Sequence, residues 1–486
     1  MDLCLTQHGI YELTFDIGEV VNDPFDVSVT VEFSHMNEQR RILGFYDGGT
    51  IFKVRFCPEQ AGTWNYRVSS SHPRIHGIEG KFHCSECHAD AGGPVRVSDK
   101  NGFILHNGER FLPIGTTCYA WAHQDSVTRQ HTLNTLRQSP FNKVRMCVFP
   151  KWYPFSKDEH RYTDEPRYYP FERRSDGTWD FSRLNVDFFR RFEECVEQLL
   201  RISIQADIIL FHPYDKWGFS SMSVEEDERY LRYVVARLGA YRNVWWSLAN
   251  EWDFIAEKSE QHWDRLGEYL RDIDGHQRLI SIHNGHKLFD YSRSWITHVS
   301  VQRRDLYLTT EEVDGLIDRY GKPVMYDEMG YEGNIPYAWG NLPPQEFVRR
   351  FWECYVRGGF GSHGETYLGV DRLLWWCHGG NLRGESVSRI QFLKQVLGEL
   401  GPLRKIRLSW DDVCGGKEGE YYLFYFGNSQ PLFRDIYVGE VNEYRVKIID
   451  TWNMEIYEQD YLIKGDGRVN LPGRPYMAVL LIRRDL

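Results

Sequence analysis

From about residue 110 to residue 400 the chain alternates between two hydrophobic patterns. Short continuous apolar runs are bounded by polar or turn-forming residues, the mark of strands buried on both faces. They fall at 111–116, 143–149, 206–211, 244–249, 279–283, 298–302, 323–327 and 373–377. Longer segments between them carry apolar residues on one helical face. The clearest begins near Asp180 or Ser182 and lines up Leu184, Phe188, Phe192, Cys195 and Leu199, the spacing of an amphipathic helix. Segments 224–241, 347–357 and 387–400 repeat it. Eight strands alternating with helices over roughly 290 residues predict an α/β chain built on a (β/α)₈ TIM barrel.

On both sides of this region the period changes to two. Alternating runs at 11–15, 25–33, 51–56 and 64–68 are separated by turn signals such as Asn22-Asp23-Pro24 and Asp47-Gly48-Gly49, which predicts an N-terminal β-sandwich. A break at Ala91-Gly92-Gly93-Pro94 precedes a hairpin of 95–98 with 103–106. After Pro402 come further strands at 421–426, 443–450 and 476–482. The expected domains are therefore an N-terminal sandwich at 1–92, the barrel at 93–402 and a small C-terminal β-sandwich at 403–486. No low-complexity linker separates them, so rigid packing is expected.

Composition narrows the partners. A net charge of -11 argues against nucleic acid and against an anionic membrane surface. The 16 Trp and 29 Tyr exceed what cores need and suit stacking on the apolar faces of sugars. The start lacks a basic segment followed by an apolar run, and no run is long enough to span a bilayer. Cys147, Cys195 and Cys377 lie inside predicted elements, as reduced core thiols do, so a cytoplasmic location is expected. The cluster His83-Cys84-Ser85-Glu86-Cys87-His88 lacks the second half of a zinc site nearby. No metal and no cofactor is expected. The two β domains offer surfaces for self-association, so a homo-oligomer is one arrangement open to the chain.

The candidate chemistry sits where predicted strands end. The apolar run 244–249 runs into Asn250-Glu251, and the run 323–327 into Glu328. Two carboxylates on strand ends of one barrel can face a common cavity, as a glycosidase requires. A retaining enzyme places them about 5–5.5 Å apart. Glu251 would then be the acid/base, its pKa raised by burial and by a neighbouring charge, and Glu328 the nucleophile. Asp327 is a rival for that role, although strand alternation turns adjacent side chains opposite ways. Arg145 could hold Glu328 ionised, and Asn250 could bind the sugar 2-hydroxyl. Trp375 or Trp376 could floor the subsite, with His212, Asp215 and Trp217 on other hydroxyls. Tyr119, Trp121 and Gln302 complete the strand-end inventory.

These residues resemble glycoside hydrolase clan A, including family-5-like enzymes. There a strand-four Asn-Glu carries the acid/base, a strand-seven Glu is the nucleophile and an Arg stands on strand two. Gly44-Phe45-Tyr46-Asp47-Gly48, Gly115-Thr116-Thr117-Cys118-Tyr119, Phe211-His212-Pro213-Tyr214-Asp215-Lys216-Trp217-Gly218, His363-Gly364-Glu365-Thr366-Tyr367 and Leu374-Trp375-Trp376 are similar to a bacterial family with an apiosidase-like catalytic barrel. In it an N-terminal β-sandwich and a C-terminal β domain flank the barrel. The resemblance implies retaining hydrolysis of a carbohydrate substrate and adds His363 and Glu365 as substrate ligands.

The expected function is thus a retaining O-glycoside hydrolase. Polymers do not enter cells, so a cytoplasmic enzyme would act on short oligosaccharides or glycosides, from an exo-type pocket. Two alternatives stand beside it. One is a non-catalytic carbohydrate-binding protein on the same fold. The other is a different barrel chemistry, for which Lys216 is the nearest Schiff-base candidate and no metal set is evident.

Overall fold

The computed structural model describes residues 5–87, 92–99, 102–152, 165–303, 305, 307–369, 373–411 and 413–485. His88, Ala91 and the hairpin tip at 100–101 lie outside them. The N-terminal alternation produces one seven-stranded sheet folded over itself. Its strand Glu38–Tyr46 pairs first with Val29–His35 and then, from Gly44 on, with Ile51–Phe56. A Cβ on Gly44 would lie 2.8 Å from that of Val29 and 2.9 Å from Val54, so only glycine lets the strand pass between the two halves. Phe33 and Phe56 stack across the fold at 4.3 Å. At the other end, a six-stranded sheet and the ribbon of Phe433–Tyr437 with Asp466–Asn470 enclose a core that includes Ile436, Tyr444, Val469 and Val479.

Between them lies an eight-stranded parallel barrel. Its strands are β1 Ile114–Thr117, β2 Lys143–Cys147, β3 Gln205–Phe211, β4 Val244–Ala249, β5 Leu279–Ser281, β6 Val299–Gln302, β7 Val324–Glu328 and β8 Phe360–His363. Neighbours pair in parallel in the order β5-β4-β3-β2-β1-β8-β7-β6, and a bridge between His283 and Ser300 closes β5 onto β6. Seven strands lie where the apolar runs predict. The eighth does not. Residues 373–377 lead into the short helix Trp375–His378, and β8 is the Phe-Gly-Ser-His segment upstream. The 373–377 run is apolar because Leu374, Trp376 and Cys377 pack with Tyr119, Ile209 and Tyr331 in a separate cluster. β8 reads as polar because Ser362 and His363 fill its last two positions, and Ser362 donates to the buried Asp327 at 2.9 Å.

Helices follow every barrel strand except β5, among the described residues. The predicted helix near 180 starts later, at Val186. Asn185 caps it by accepting the N–H groups of Asp187 and Phe188, while Trp179–Leu184 is a strand paired with Phe171–Arg173. The amino end of the barrel is plugged by the hairpin Val95–Asp99 and Gly102–Leu105. Its Phe103 ring lies 5.1 Å from Trp245 and 5.3 Å from Phe360. No helix among the described residues is long and apolar enough to cross a membrane. The nine described cysteines carry free thiols, all buried but Cys87.

At the opposite end, Glu332–Gly333 pairs with Glu365–Thr366 above the rim. Both carboxylates are buried and grip the start of the last barrel helix, Ser386–Gly398. Glu332 accepts the N–H groups of Glu385 at 2.8 Å and Ser386 at 3.0 Å. Glu365 accepts those of Arg383 at 2.6 Å and Gly384 at 2.7 Å. Glu332 thereby satisfies donors that a helix start leaves open, and Glu365 those of the loop just before it. Burial pushes Glu365 up to about 7 against these N–H groups, and the Glu332 charge adds to the shift. A carboxyl raised in the folded state from an ordinary 4.5 contributes stability that is present below that value and lost as pH rises through its folded pKa. The melting temperature should therefore carry a component that falls between pH 4.5 and about 7. Thermal unfolding followed by circular dichroism should show this slope flattened in Glu365→Gln; an unchanged slope would place its origin elsewhere.

Candidate active site

The site is built upward from a buried charge network in the barrel. β2 turns Lys143 and Arg145 inward, and both are fully buried. Lys143 Nζ lies 2.5 Å from Asp207 on β3 and 2.8 Å from Asp327 on β7. Ser300 and Ser362 donate to the same Asp327 at 2.5 and 2.9 Å. Burial works to raise Asp327, but Lys143 and Arg145 overcome it and hold the carboxyl far below its ordinary value. Asp207 is raised by burial, with Lys143 opposing. Asp327 is thus a structural anion within the barrel, but alternation does not turn Glu328 away from it: Arg145 lies 3.9 Å from Asp327 and 3.8 Å from Glu328. The pairing of β6 with β7 also slips there, from Val301↔Tyr326 to Gln302↔Glu328, leaving Asp327 as the extra residue. Such a bulge re-aims the next side chain.

Glu328 is aimed into a cavity of about 300 Å³ at the carboxyl end of the barrel, and Glu251 lines the same cavity. The Tyr119 hydroxyl donates to Glu328 Oε1. Arg145 Nη1 and His283 Nε2 lie 3.8 and 3.7 Å from the same oxygen. Glu251 is held from three sides. The Tyr214 hydroxyl and the Asn250 amide (3.0 Å) donate to Oε2, and Gln302 donates to Oε1 at 2.9 Å. Its backbone is left-handed, with φ 52° and ψ 52°, a conformation that costs a non-glycine residue on the order of 1–2 kcal/mol. That turn points the side chain from the end of β4 into the cavity. Burial and the Glu251 charge push Glu328 up, while Arg145 and Lys151 oppose. His283 lies well below its ordinary value through burial and the Arg145 charge, so it faces Glu328 as a neutral ring.

Of the residues singled out in the sequence, Glu251, Glu328, Tyr119 and Gln302 line the cavity. Arg145 and Asn250 lie behind it, fully buried, joined by an Nη2–Oδ1 hydrogen bond of 3.2 Å. The Asn250 amide is thereby occupied on both sides, by Arg145 and by Glu251. The structure does not bring the others to the cavity. His212 is buried and holds backbone: Nδ1 accepts from Tyr214 N–H at 3.2 Å and Nε2 donates to the Phe149 carbonyl at 3.1 Å. Asp215 accepts the N–H groups of Trp217, Gly218 and Ser220, the bonding of a loop cap. Trp217 is aligned with Phe219 and donates to Glu165. Trp121 is buried and donates to the Arg129 carbonyl. His363 stacks on Phe141 at 4.7 Å inside the barrel wall. Glu365 is the rim strut described above, and Trp375 donates inward to Thr116 at 2.8 Å. The residue reaching the cavity from that segment is Trp376.

Other cavity residues escaped the sequence reading. Tyr214 sits between His212 and Asp215, which drew attention for their charge chemistry. Lys151, Tyr331, Tyr337 and Trp339 also line the cavity. Tyr337 and Trp339 stack at 6.1 Å, and Trp376 lies 5.2 Å from Trp339. Their one sequence signal is the density of aromatic residues after β7, at 331, 337 and 339. No group of three or more His, Cys, Asp or Glu side chains is set to hold a metal ion among the described residues.

A cavity with two carboxylates on facing strands, a neighbouring guanidinium and aromatic walls can move a proton, offer a nucleophile and stack on a sugar. The comparisons point the same way. The profile "Apiosidase-like, catalytic domain" matches residues 98–413. Two domains of unknown function, DUF5060 and DUF5605, match residues 5–71 and 410–482. No curated protein matches the chain. A Bacteroides vulgatus ATCC 8482 protein, provisionally described as a glycoside hydrolase, is similar at 36% identity over 99% of both chains, with a TM-score of 0.92. A glycoside hydrolase family 5 structure from the same organism shares the fold at 13% identity and a TM-score of 0.62, over 81% of this chain and 94% of that one. With that catalytic-domain match over most of its length and a glycoside hydrolase-like fold throughout, the chain belongs to the apiosidase-like family.

Proposed function

We propose that this protein is a retaining O-glycoside hydrolase of the (β/α)₈ type, acting on short oligosaccharides or glycosides from a pocket, in exo fashion. The observation that carries the reading is the placement of Glu251 and Glu328 on one cavity, each held by a tyrosine hydroxyl, with Arg145 beside Glu328. A Glu328 oxygen attacks the anomeric carbon while Glu251 gives its proton to the leaving oxygen, and the glycosidic C–O bond breaks. Glu251 then takes a proton from water, whose oxygen displaces Glu328 and regenerates both carboxyls. The double displacement needs one carboxyl ionised and the other protonated. The Arg145 guanidinium beside Glu328 opposes the rise in its pKa and so favours the ionised nucleophile. Tyr119 and Arg145 hold the nucleophile, whereas Gln302, Asn250 and Tyr214 hold the acid/base. Trp376, Trp339 and Tyr337 supply the stacking surface. We place the domain boundaries near residues 92 and 402, with the flanking β domains in supporting roles.

Glu328→Gln should lose activity by on the order of 10⁴-fold or more on any glycoside the wild type cleaves; near-normal turnover would remove its assigned role. Glu251→Ala with added azide should release a glycosyl azide of retained configuration from an activated aryl glycoside, read by NMR. An azide product of inverted configuration would argue for a single-displacement mechanism.

The pH profile supplies an independent check. Activity requires ionised Glu328, so the acidic limb of kcat/KM should lie above the ordinary 4.5 of a glutamate. In azide-rescued Glu251→Ala that limb should move to lower pH, because the neighbouring charge that raises Glu328 is gone.

A further inference from the structure

Lys151 lies in the loop after β2 and is almost fully buried. Its ammonium sits 3.9 Å from the centre of the Tyr119 ring, 4.2 Å from that of Tyr214 and 5.3 Å from that of Trp376. The two tyrosines are those whose hydroxyls donate to the carboxylates, Tyr119 to Glu328 and Tyr214 to Glu251. One cation therefore contacts both arms that hold the pair. A cation over a phenol ring is attracted to its face, which fixes the ring plane and with it the direction of the O–H bond. It also draws charge from the ring, which makes the hydroxyl a better donor.

We propose that Lys151 is a positioning residue of this site: its ammonium clamps Tyr119 and Tyr214 so that their hydroxyls stay on Glu328 and Glu251, and it adds the positive charge that keeps one of the two carboxyls ionised. The proposal rests on the reading of Glu251 and Glu328 as the reacting pair. The groups around Glu328 come from six directions: Arg145 on β2, Tyr119 after β1, His283 after β5, Tyr331 after β7, Glu251 after β4 and Lys151 itself. Arg145 already faces Glu328, but it is Lys151 that also contacts the tyrosine that holds Glu251. The Lys151 charge extends to His212, lowered to about 3 by burial and then by Lys151, and to Cys147 and His283.

The test is the titration of Glu328 in protein carrying ¹³C-carboxyl-labelled glutamate, its NMR signal assigned by loss in Glu328→Gln. Lys151→Met keeps the length of the side chain and removes the charge. It should shift the Glu328 titration upward by roughly one pH unit and lower kcat more than it raises KM. Lys151→Arg should bring the titration back toward the wild-type value. An unmoved titration in folded Lys151→Met would overturn the proposal, as would a loss confined to KM, which would make Lys151 a substrate ligand. Should Lys151→Met not fold, Lys151→Gln is read in the same way. The titration needs no substrate. If the wild type cleaves no glycoside, the hydrolase reading fails on that result, while the carboxyl shift still decides the role of Lys151.

Discussion

Two cations are buried inside the barrel, and everything at its mouth depends on their being neutralised. An unpaired charge in such a place costs several kcal/mol. Lys143 and Arg145 therefore need Asp207 and Asp327 within reach, and Asp327 needs hydroxyls on the strands at either side. The network ties β2, β3, β6, β7 and β8 to a common centre. A barrel whose interior were only Val, Ile and Leu would be held by packing, which tolerates small slips in register. This one is held by directional contacts that a slip of one residue would break. It therefore delivers Glu328 and Asn250 to fixed positions, and Arg145 is the member that reaches from the network to both of them.

The outer parts of the chain repeat the arrangement. The N-terminal sheet docks on the barrel helices Val186–Arg201 and Val224–Leu238 through Arg55, Glu193, Arg237 and Asp47, with contacts of 2.7 to 3.0 Å. Arg55 and Arg237 are themselves buried, and each covers the face of Phe45. At the other end Trp352 of the helix Pro344–Val356 stacks on Tyr425 of the C-terminal sheet at 5.7 Å. These are contacts of a core, which agrees with the absence of a linker-like composition between the parts. The plug of Phe103 covers the amino end of the barrel, opposite the cavity.

Much of the barrel and the outline of the site are legible in one sequence. An apolar run that ends in a polar residue marks the end of a buried strand, because the backbone leaves the sheet where side chains can meet water. That logic locates Glu251, Glu328, Tyr119 and Gln302, all of them on the cavity. It misplaces His212 and Asp215, and the resemblance misplaces Glu365, for a common reason. A loop or rim must satisfy its own backbone N–H and carbonyl groups. Polar side chains near strand ends are recruited for that work as readily as for substrate. Asp215 spends its carboxylate on three backbone N–H groups and Glu365 on two. Composition does not distinguish the two uses.

Local pattern determined what is local: the period of each element, seven of the eight barrel strands, the all-β flanks and the two carboxylates at the ends of β4 and β7. Those features follow from the burial of each residue along one stretch of chain. Tertiary structure alone decided the rest. β8 could not be read, because its polar Ser362 and His363 are buried against partners on other strands, Asp327 and Thr116. The helix Trp375–His378 could not be told from a strand, because a short run buried on all sides has no period. The choice of Tyr214, Lys151 and Trp376 over their sequence neighbours depends on which side chains converge from separate loops, and convergence is a property of distance in space.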